Sequence, residues 1–387
     1  MRYTDRLSHI YIIGKTGTGK TTLLESLIMQ DIRSGKGVTL IDPHGDYVER
    51  IAASVPSDRA DDVLYFNVPD ATQPYGYNPL KFVADVYRPL AASGILEVFK
   101  KMWAESWGQR LEHILRNALL ALLDTPGATL PDILRLLADR TFRRSIAAKL
   151  SNERVKDYWL VEYQNYSPRL RAEAIVPIQN RVGAFLADPV LHRVLTTPEK
   201  PIQVRRIMDE ERILLVNLSK GQIGEDASGL LGGLLVTTLG LAAYSRADTS
   251  EIERTPHYLF VDEFQNFTTL AIANMVSELR KYGVAVVLAN QYLSQLEPEI
   301  RDAVLGNAGT LISFRLGAKD APVIAGEFDP NFSATDLVNL ENHHIYRKMM
   351  IDGAPSIPFS ATTLTPRESR MRQDIAQLKY KPASAIT

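Results

Sequence analysis

Two short stretches of this 387-residue chain carry side chains whose types and spacing can do phosphate chemistry. The first is GKTGTGKTT, Gly14 to Thr22. Gly14, four intervening residues (Lys15, Thr16, Gly17 and Thr18), then Gly19, Lys20 and Thr21 fit the P-loop pattern. Glycines let successive backbone N–H groups turn inward on one phosphate, which also meets the positive end of the helix that follows. The pattern puts Lys20 at the β- and γ-phosphates, the Thr21 hydroxyl on Mg²⁺, which favours oxygen ligands shared with phosphates, and Thr22 at the α-phosphate. The expected ligand is ATP with Mg²⁺.

The second stretch is HYLFVDEFQNF, His257 to Phe267, in which four apolar residues lead into Asp262 and Glu263. Paired acids at the carboxyl end of a buried strand form a Walker B arrangement, at the end of open α/β sheets where ligands bind. Asp262 is expected to hold Mg²⁺ through water, and Glu263 to polarise the water that attacks the γ-phosphate. A third stretch, RKYGVAVVLANQYLSQL, ends another apolar strand on Asn290 and Gln291. If the two strands are neighbours, Gln291 can sense the γ-phosphate or orient the attacking water; an amide that caps the next segment is the alternative. For Asp42, in DPHGD, a turn role is favoured over one at the nucleotide. The seven histidines show no ligand spacing, so no structural metal site is expected.

The elements that must position these groups read as strand, loop and helix. Ile10 to Ile13 is β-branched and apolar, and Thr21 to Met29 has apolar residues at helical spacing. Further strand-like runs are Val38 to Ile41, Val63 to Phe66, Ile213 to Leu218, Tyr258 to Val261, Val284 to Ala289 and Thr310 to Phe314. Most are continuously apolar, the pattern of strands buried on both faces of a mainly parallel sheet, so the core is α/β. Between residues 84 and 200 the pattern is helical throughout, as in RLEHILRNALLALLD, and Pro126, Pro168 and Pro177 punctuate it. This gives a sheet-bearing P-loop domain of residues 1–83 and 201–365, an all-α insertion of residues 84–200, and a polar C-terminal tail of residues 366–387.

Composition sets limits. With 23% charged and 45% hydrophobic residues the chain reads as soluble and globular, and its net charge of −1 means that any nucleic-acid surface must be a local patch. The absence of cysteine excludes disulfides and thiolate metal sites and agrees with a reducing cytoplasm. No secretory leader is expected ahead of the P-loop strand. The best membrane candidate, GLLGGLLVTTLGLAAY from Gly229 to Tyr244, falls short of the roughly 20 residues needed to span, so a buried helix is expected, with Gly229 and Gly233 permitting close packing.

The set IIGKTGTGKTT, TLIDPHGDYVERI, LSKGQIGEDASGLLGGLL, YLFVDEFQNF and LRKYGVAVVLANQYLSQL resembles the FtsK–HerA superfamily of ring motors, most closely the coupling ATPases of conjugative type IV secretion. GNAGTLISFRLGAKDAPVIAGEF and MIDGAPSIPFSATTL extend the likeness. The resemblance implies a RecA-like motor domain interrupted by an all-α domain, a homo-hexamer around single- or double-stranded DNA, and translocation driven by ATP hydrolysis. It implies a cytoplasmic protein, held at the inner membrane through partners such as a relaxase or secretion channel, or through a missing N-terminal region. It also implies that Arg280, in LRKYG, acts on the nucleotide of the neighbouring subunit, with Arg315, read as lying within a strand, in reserve. Members often carry a membrane segment or a small β-barrel before the P-loop, and neither is read here. A polypeptide-exporting ATPase and a nucleotide-loaded docking ring with little turnover are the alternatives. For DNA, RLLADRTFRRSIAAKL concentrates positive charge, and Arg140, Arg143 and Arg144 are the candidate phosphate contacts, with an ordinary solvated helix face as the alternative.

Overall fold

The computed structural model describes residues 3–196, 200–269, 273 and 276–364. The expected C-terminal tail lies outside the described residues. The chain clusters into two compact units: one comprises Met1–Gln73, Val204–Gln222 and Arg246–Thr387, the other Pro74–Gln203 and Ile223–Ser245.

The first unit is built on a nine-stranded sheet. Its strands are β1 (Ile10–Ile13), β2 (Gly37–Asp42), β3 (Val63–Asn67), β4 (Ile213–Asn217), β5 (His257–Val261), β6 (Val284–Asn290), β7 (Thr310–Ser313), β8 (His344–Lys348) and β9 (Phe359–Thr362). They lie in the order β9-β8-β7-β1-β6-β5-β2-β4-β3. The first seven are parallel, as their unbroken apolar runs predict: every residue of β1, β2, β4, β5, β6 and β7 is buried. The antiparallel edge hairpin β8–β9 extends the sheet beyond the strands read from sequence. Its side chains are only partly buried, so it lacks the apolar signature of the centre.

Helix α1 (Lys20–Arg33) follows β1 and turns Leu24, Ile28, Met29 and Ile32 into the core with Ile10, Ile12, Val38 and Leu40. Each such side chain, fully buried, contributes about 1.5–3 kcal/mol. Helix α2 (Asp46–Ser54) follows β2 and buries Tyr47, Val48, Ile51 and Ala52 in the same core. Asp42 organises that junction: one carboxylate oxygen accepts the His44 N–H at 2.8 Å, and the other the N–H groups of Tyr47 and Val48 at 3.1 and 2.9 Å. This is the turn role expected for it.

The second unit is helical. Its main members are α3 (Arg88–Met102), α4 (Gln109–Leu123), α5 (Asp132–Ala138), α6 (Arg140–Ala147), α7 (Pro168–Leu186), α8 (Pro189–Thr196) and α9 (Glu225–Ser245). Helix α9 contains the apolar run from Gly229. Long and apolar enough by composition to cross a membrane, its segment is 83% buried in this structure. It packs on α3, where a Cβ at Gly94 would collide with Thr237 Cγ2, so the glycine that permits the approach belongs to α3. By clustering with the helices, α9 departs from the expected placement of all of residues 201–365 in the sheet-bearing domain.

Candidate functional site

The site lies at the carboxyl ends of β1, β5 and β6. Parallel register sets Ile13 beside Asn290 and Val261 beside Leu288, so the residues that leave these three strands are neighbours. The condition placed on Gln291 is therefore met. Gly14 is packed so closely that a Cβ would lie 2.5 Å from Phe314 Cβ, and Gly17 and Gly19 have φ of 76° and 113°, values that favour glycine. The Thr18 hydroxyl donates to the Lys15 carbonyl at 2.7 Å and closes the loop.

Lys20 opens α1 and is buried, with 7% exposed. Its ammonium donates to the carbonyls of Gly14 and Lys15 at 2.5 and 3.1 Å. Burial pushes its pKa down from the ordinary lysine value, and the carboxylates of Asp262 and Glu263 pull it back up. Asp262 follows β5. Burial, then the nearby Glu263 and Asp42 carboxylates, push it up to about 7 against the pull of Lys20. The Asp262 and Glu263 carboxylates beside one buried lysine concentrate negative charge at the end of the P-loop, next to the Thr21 hydroxyl, an oxygen of the kind Mg²⁺ takes.

Glu263 has φ 47° and ψ 46°, a left-handed conformation costing about 1–2 kcal/mol that aims its carboxylate across the strand ends. Two amides hold it. Gln291 Nε2 donates to Glu263 Oε1 at 2.5 Å, and Gln265 Nε2 donates to Oε2 at 2.6 Å. The other end of Gln291 returns to the P-loop, where its Oε1 accepts from the Thr16 hydroxyl at 2.6 Å. Thr16, Gln291 and Glu263 thus form a hydrogen-bonded chain from the phosphate loop to the strand-end carboxylate. Capping of the following turn falls to Gln295, whose Oε1 accepts the N–H groups of Gln291 and Tyr292 at 3.2 and 3.0 Å. Asn290 is fully buried and holds the core, with Tyr11 donating to its Oδ1 at 2.8 Å.

Sequence reasoning missed Gln265 and His343. Gln265, two residues past Glu263, was legible in DEFQ as an amide within reach. His343 gave no signal, because the fold alone brings it to the P-loop, where its backbone N–H donates to the Thr18 carbonyl at 2.9 Å.

The arginines fall elsewhere. Arg280 is exposed in the 3₁₀ turn Leu279–Tyr282 that precedes β6, away from the strand end that carries Gln291. Arg315 lies two residues past β7, not within a strand: its carbonyl accepts the Lys15 N–H at 3.0 Å and its guanidinium donates to the Leu340 carbonyl at 3.3 Å. In the helical unit, Arg140 and Arg144 are exposed on α6, but Arg143 is 4% exposed. Its Nη1 donates to the carbonyls of Leu136 and Leu137 at 2.8 and 3.1 Å, near the end of α5, and its guanidinium sits 4.8 Å from the centre of the Tyr163 ring. A guanidinium spent on a helix carboxyl end is not presented to a phosphate, which corrects the expectation for Arg143. Among the described residues no group of histidine, aspartate and glutamate side chains forms a metal cage.

A family model described as the central domain of the helicase HerA matches residues 4–225, and one described as the TraM recognition site of TraD and TraG matches residues 256–324. The type 4 coupling protein DotL of Legionella pneumophila is 21% identical over 75% of this chain, which spans 44% of that relative's length. Among solved structures, the bacterial conjugative coupling protein TrwB lacking its first 70 residues matches with a TM-score of 0.68 at 16% identity, over 96% of this chain and 88% of that one. TrwB in complex with ADP and Mg²⁺ matches with a TM-score of 0.67 at 17% identity, over 97% and 89%. VirB4 of Thermoanaerobacter pseudethanolicus matches with a TM-score of 0.60 at 16% identity, over 94% and 91%. At these identities the structural likeness is one of fold, an α/β P-loop fold with a mainly parallel sheet.

Proposed function

This chain belongs to the family of the HerA helicase central domain, and from that premise we propose that it is an ATP-driven DNA translocase, the motor of a conjugative coupling or HerA-like machine, acting as a homo-hexameric ring. The observation that carries the reading is the chain Thr16–Gln291–Glu263, which joins the phosphate loop to a carboxylate aimed across it. Residues 14–22 bind the triphosphate of ATP. Thr21 and, through water, Asp262 would hold Mg²⁺, which when bound offsets the negative charge of the phosphates. Lys20 exchanges its contacts with the Gly14 and Lys15 carbonyls for the β- and γ-phosphates. Glu263, fixed by Gln265 and Gln291, accepts the proton of the attacking water at a carboxylate oxygen. Gln291, bonded to Thr16, reports whether the loop is filled, and Arg280 completes the site of the next subunit.

In this reading the motor proper is the sheet-bearing part of residues 1–83 and 201–365, amended by the passage of α9 to the helices, and residues 84–200 are an all-α insertion. Arg140 and Arg144 of that insertion contact DNA phosphates. The ring works in the cytoplasm, attached to the inner membrane by a relaxase or secretion-channel complex. TrwB bound to ADP and Mg²⁺, which shares the fold, and the coupling protein DotL, which is similar in sequence, support this reading. The test is steady-state ATP hydrolysis with and without single- and double-stranded DNA. Turnover stimulated by DNA supports translocation of DNA; turnover indifferent to DNA points to a polypeptide substrate, and binding without turnover to a docking ring.

A further inference from the structure

The P-loop accounts for the phosphates of a nucleotide and leaves its base without a partner. Beyond Thr22, the proposed α-phosphate contact, one turn of α1 leads to Ser26, whose hydroxyl donates to the Thr22 carbonyl at 3.0 Å and approaches the Leu364 carbonyl at 3.4 Å. The segment around Leu364 is tied to His343, whose carbonyl accepts the Thr363 N–H at 2.8 Å and the Thr363 hydroxyl at 3.2 Å. His343 in turn donates its backbone N–H to the Thr18 carbonyl of the P-loop at 2.9 Å. Its ring comes so close that a Cβ on Gly19 would lie 2.8 Å from Nδ1. The planar imidazole of His343 and the residue Leu364 thus lie beside the first turns of α1.

Neither is explained by packing. Leu364 is 81% exposed, which gains the fold little. His343 is exposed and adopts φ 64°, a conformation rare for residues other than glycine, held by three hydrogen bonds on its backbone and on Thr363. A planar ring whose backbone is held beside the P-loop is suited to stacking, because every nucleobase offers a π face.

Resting on the reading of the P-loop as a nucleotide site, we infer that His343 and Leu364 form the platform for the nucleobase, His343 stacking on it and Leu364 covering its edge. Contact made through a π face and apolar surface favours the larger purines over pyrimidines, without a hydrogen-bond code for adenine.

The inference is tested by calorimetric binding of ATP, CTP and inorganic tripolyphosphate to the full chain. His343→Asn tolerates the left-handed backbone and removes the ring. It should weaken ATP binding about tenfold, in line with base–aromatic stacking, and leave the tripolyphosphate Kd unchanged within twofold. His343→Phe keeps a planar ring and should retain most of the ATP affinity, and Leu364→Ser should weaken ATP but not tripolyphosphate. In the wild-type protein ATP should bind more tightly than CTP. The platform is overturned if His343→Asn binds ATP as tightly as wild type. It is also overturned if that variant loses tripolyphosphate in parallel, since the ring would then support the loop and not the base. A wild-type protein that binds neither ATP nor tripolyphosphate removes the P-loop reading itself, and the platform with it.

Discussion

Arg280 and Gln291 stand at opposite ends of one strand, Arg280 in the turn that enters β6 and Gln291 in the residue that leaves it. Seven residues at about 3.3 Å each put roughly 23 Å between those ends, so Arg280 does not reach the nucleotide site of its own subunit. A finger working in trans has this placement. Arg280→Ala should lower ATP hydrolysis by about 10³–10⁵ and leave ATP binding intact. Mixed with Lys20→Ala subunits, also inactive alone, it should regain partial activity, because some intact Lys20 sites then face intact Arg280 residues. Normal hydrolysis by Arg280→Ala, or a mixture that stays dead despite proven co-assembly, ends the assignment.

The turn that carries Arg280 is clamped by two other arginines. Arg246, 1% exposed, donates to the Tyr282 carbonyl at 2.9 Å, the Thr255 carbonyl at 2.6 Å and Asp209 at 2.9 Å. Arg254 donates to the Lys281 carbonyl and lies 5.5 Å from the centre of the Tyr282 ring. Arg254→Ala should loosen that turn and lower hydrolysis on the order of 10²-fold, the effect of misplacing a group by about an ångström. It should then behave like Arg280→Ala in subunit mixing, with Lys20→Ala restoring activity. A general loss of stability would depress every mixture alike.

Glu263→Gln should retain ATP affinity within a few-fold and lower kcat by roughly 10²–10⁴, as for loss of a general base. Because Gln291 holds the Glu263 carboxylate, Gln291→Ala should cost less in the Glu263→Gln background than alone, a non-additivity that a double-mutant cycle of kcat reads directly. Wild-type turnover in Glu263→Gln would pass the base role to another group.

The buried histidines make the fold sensitive to acid. Burial, with a contribution from Arg280, pushes His9 down to about 4, and burial with Arg246 pushes His257 down to about 3. Both are lower folded than unfolded, where the ordinary value is 6.5. Between those limits the unfolded chain binds more protons, so stability is full above about 6.5 and falls as pH drops below it, by about 1.4 kcal/mol per unit for each histidine. Asp262, which the fold pushes up to about 7, gains a proton on folding over the same range and offsets part of this loss, so urea unfolding from pH 8 to 4.5 should show less than the two histidines' sum, and His257→Gln should lower the slope by one histidine's share. An unchanged slope would mean that His257 is already protonated in the fold.

Arg140→Ala and Arg144→Ala together should flatten the logarithmic salt dependence of duplex DNA binding by up to about 2. Arg143→Ala should leave that slope alone and instead destabilise the helical unit by roughly 3 kcal/mol, through loss of hydrogen bonds from a charged donor to two buried carbonyls. Thermal unfolding and fluorescence titrations at several salt concentrations separate the two effects.

The sheet and its site were legible because strands buried on both faces need unbroken apolar runs, and phosphate chemistry needs glycines, a lysine and acids at fixed spacing. The β8–β9 hairpin was not, because HIYRK and FSAT alternate weakly at an edge that water reaches. Arg143 was misjudged for a local reason: Asp139 caps α6, accepting the N–H groups of Thr141 and Phe142, and the new helix direction turns the middle one of three neighbouring arginines inward. Charge counts along a segment do not register such a break. His343 was invisible because its partners, Thr18 and Gly19, lie more than 300 residues away in sequence.

The strand order has a consequence for synthesis. None of the three strands formed by the first 73 residues pairs with another of the three: β1 lies between β6 and β7, β2 between β4 and β5, and β3 beside β4. At ribosomal speeds of about 5–20 residues per second, β1 waits tens of seconds for a neighbour, because β6 ends at Asn290. Through that interval its apolar face must be shielded by transient collapse or by a chaperone, while the largely local contacts of the first helices of the second unit can already form. The phosphate cradle is therefore assembled long after its own strand has been translated.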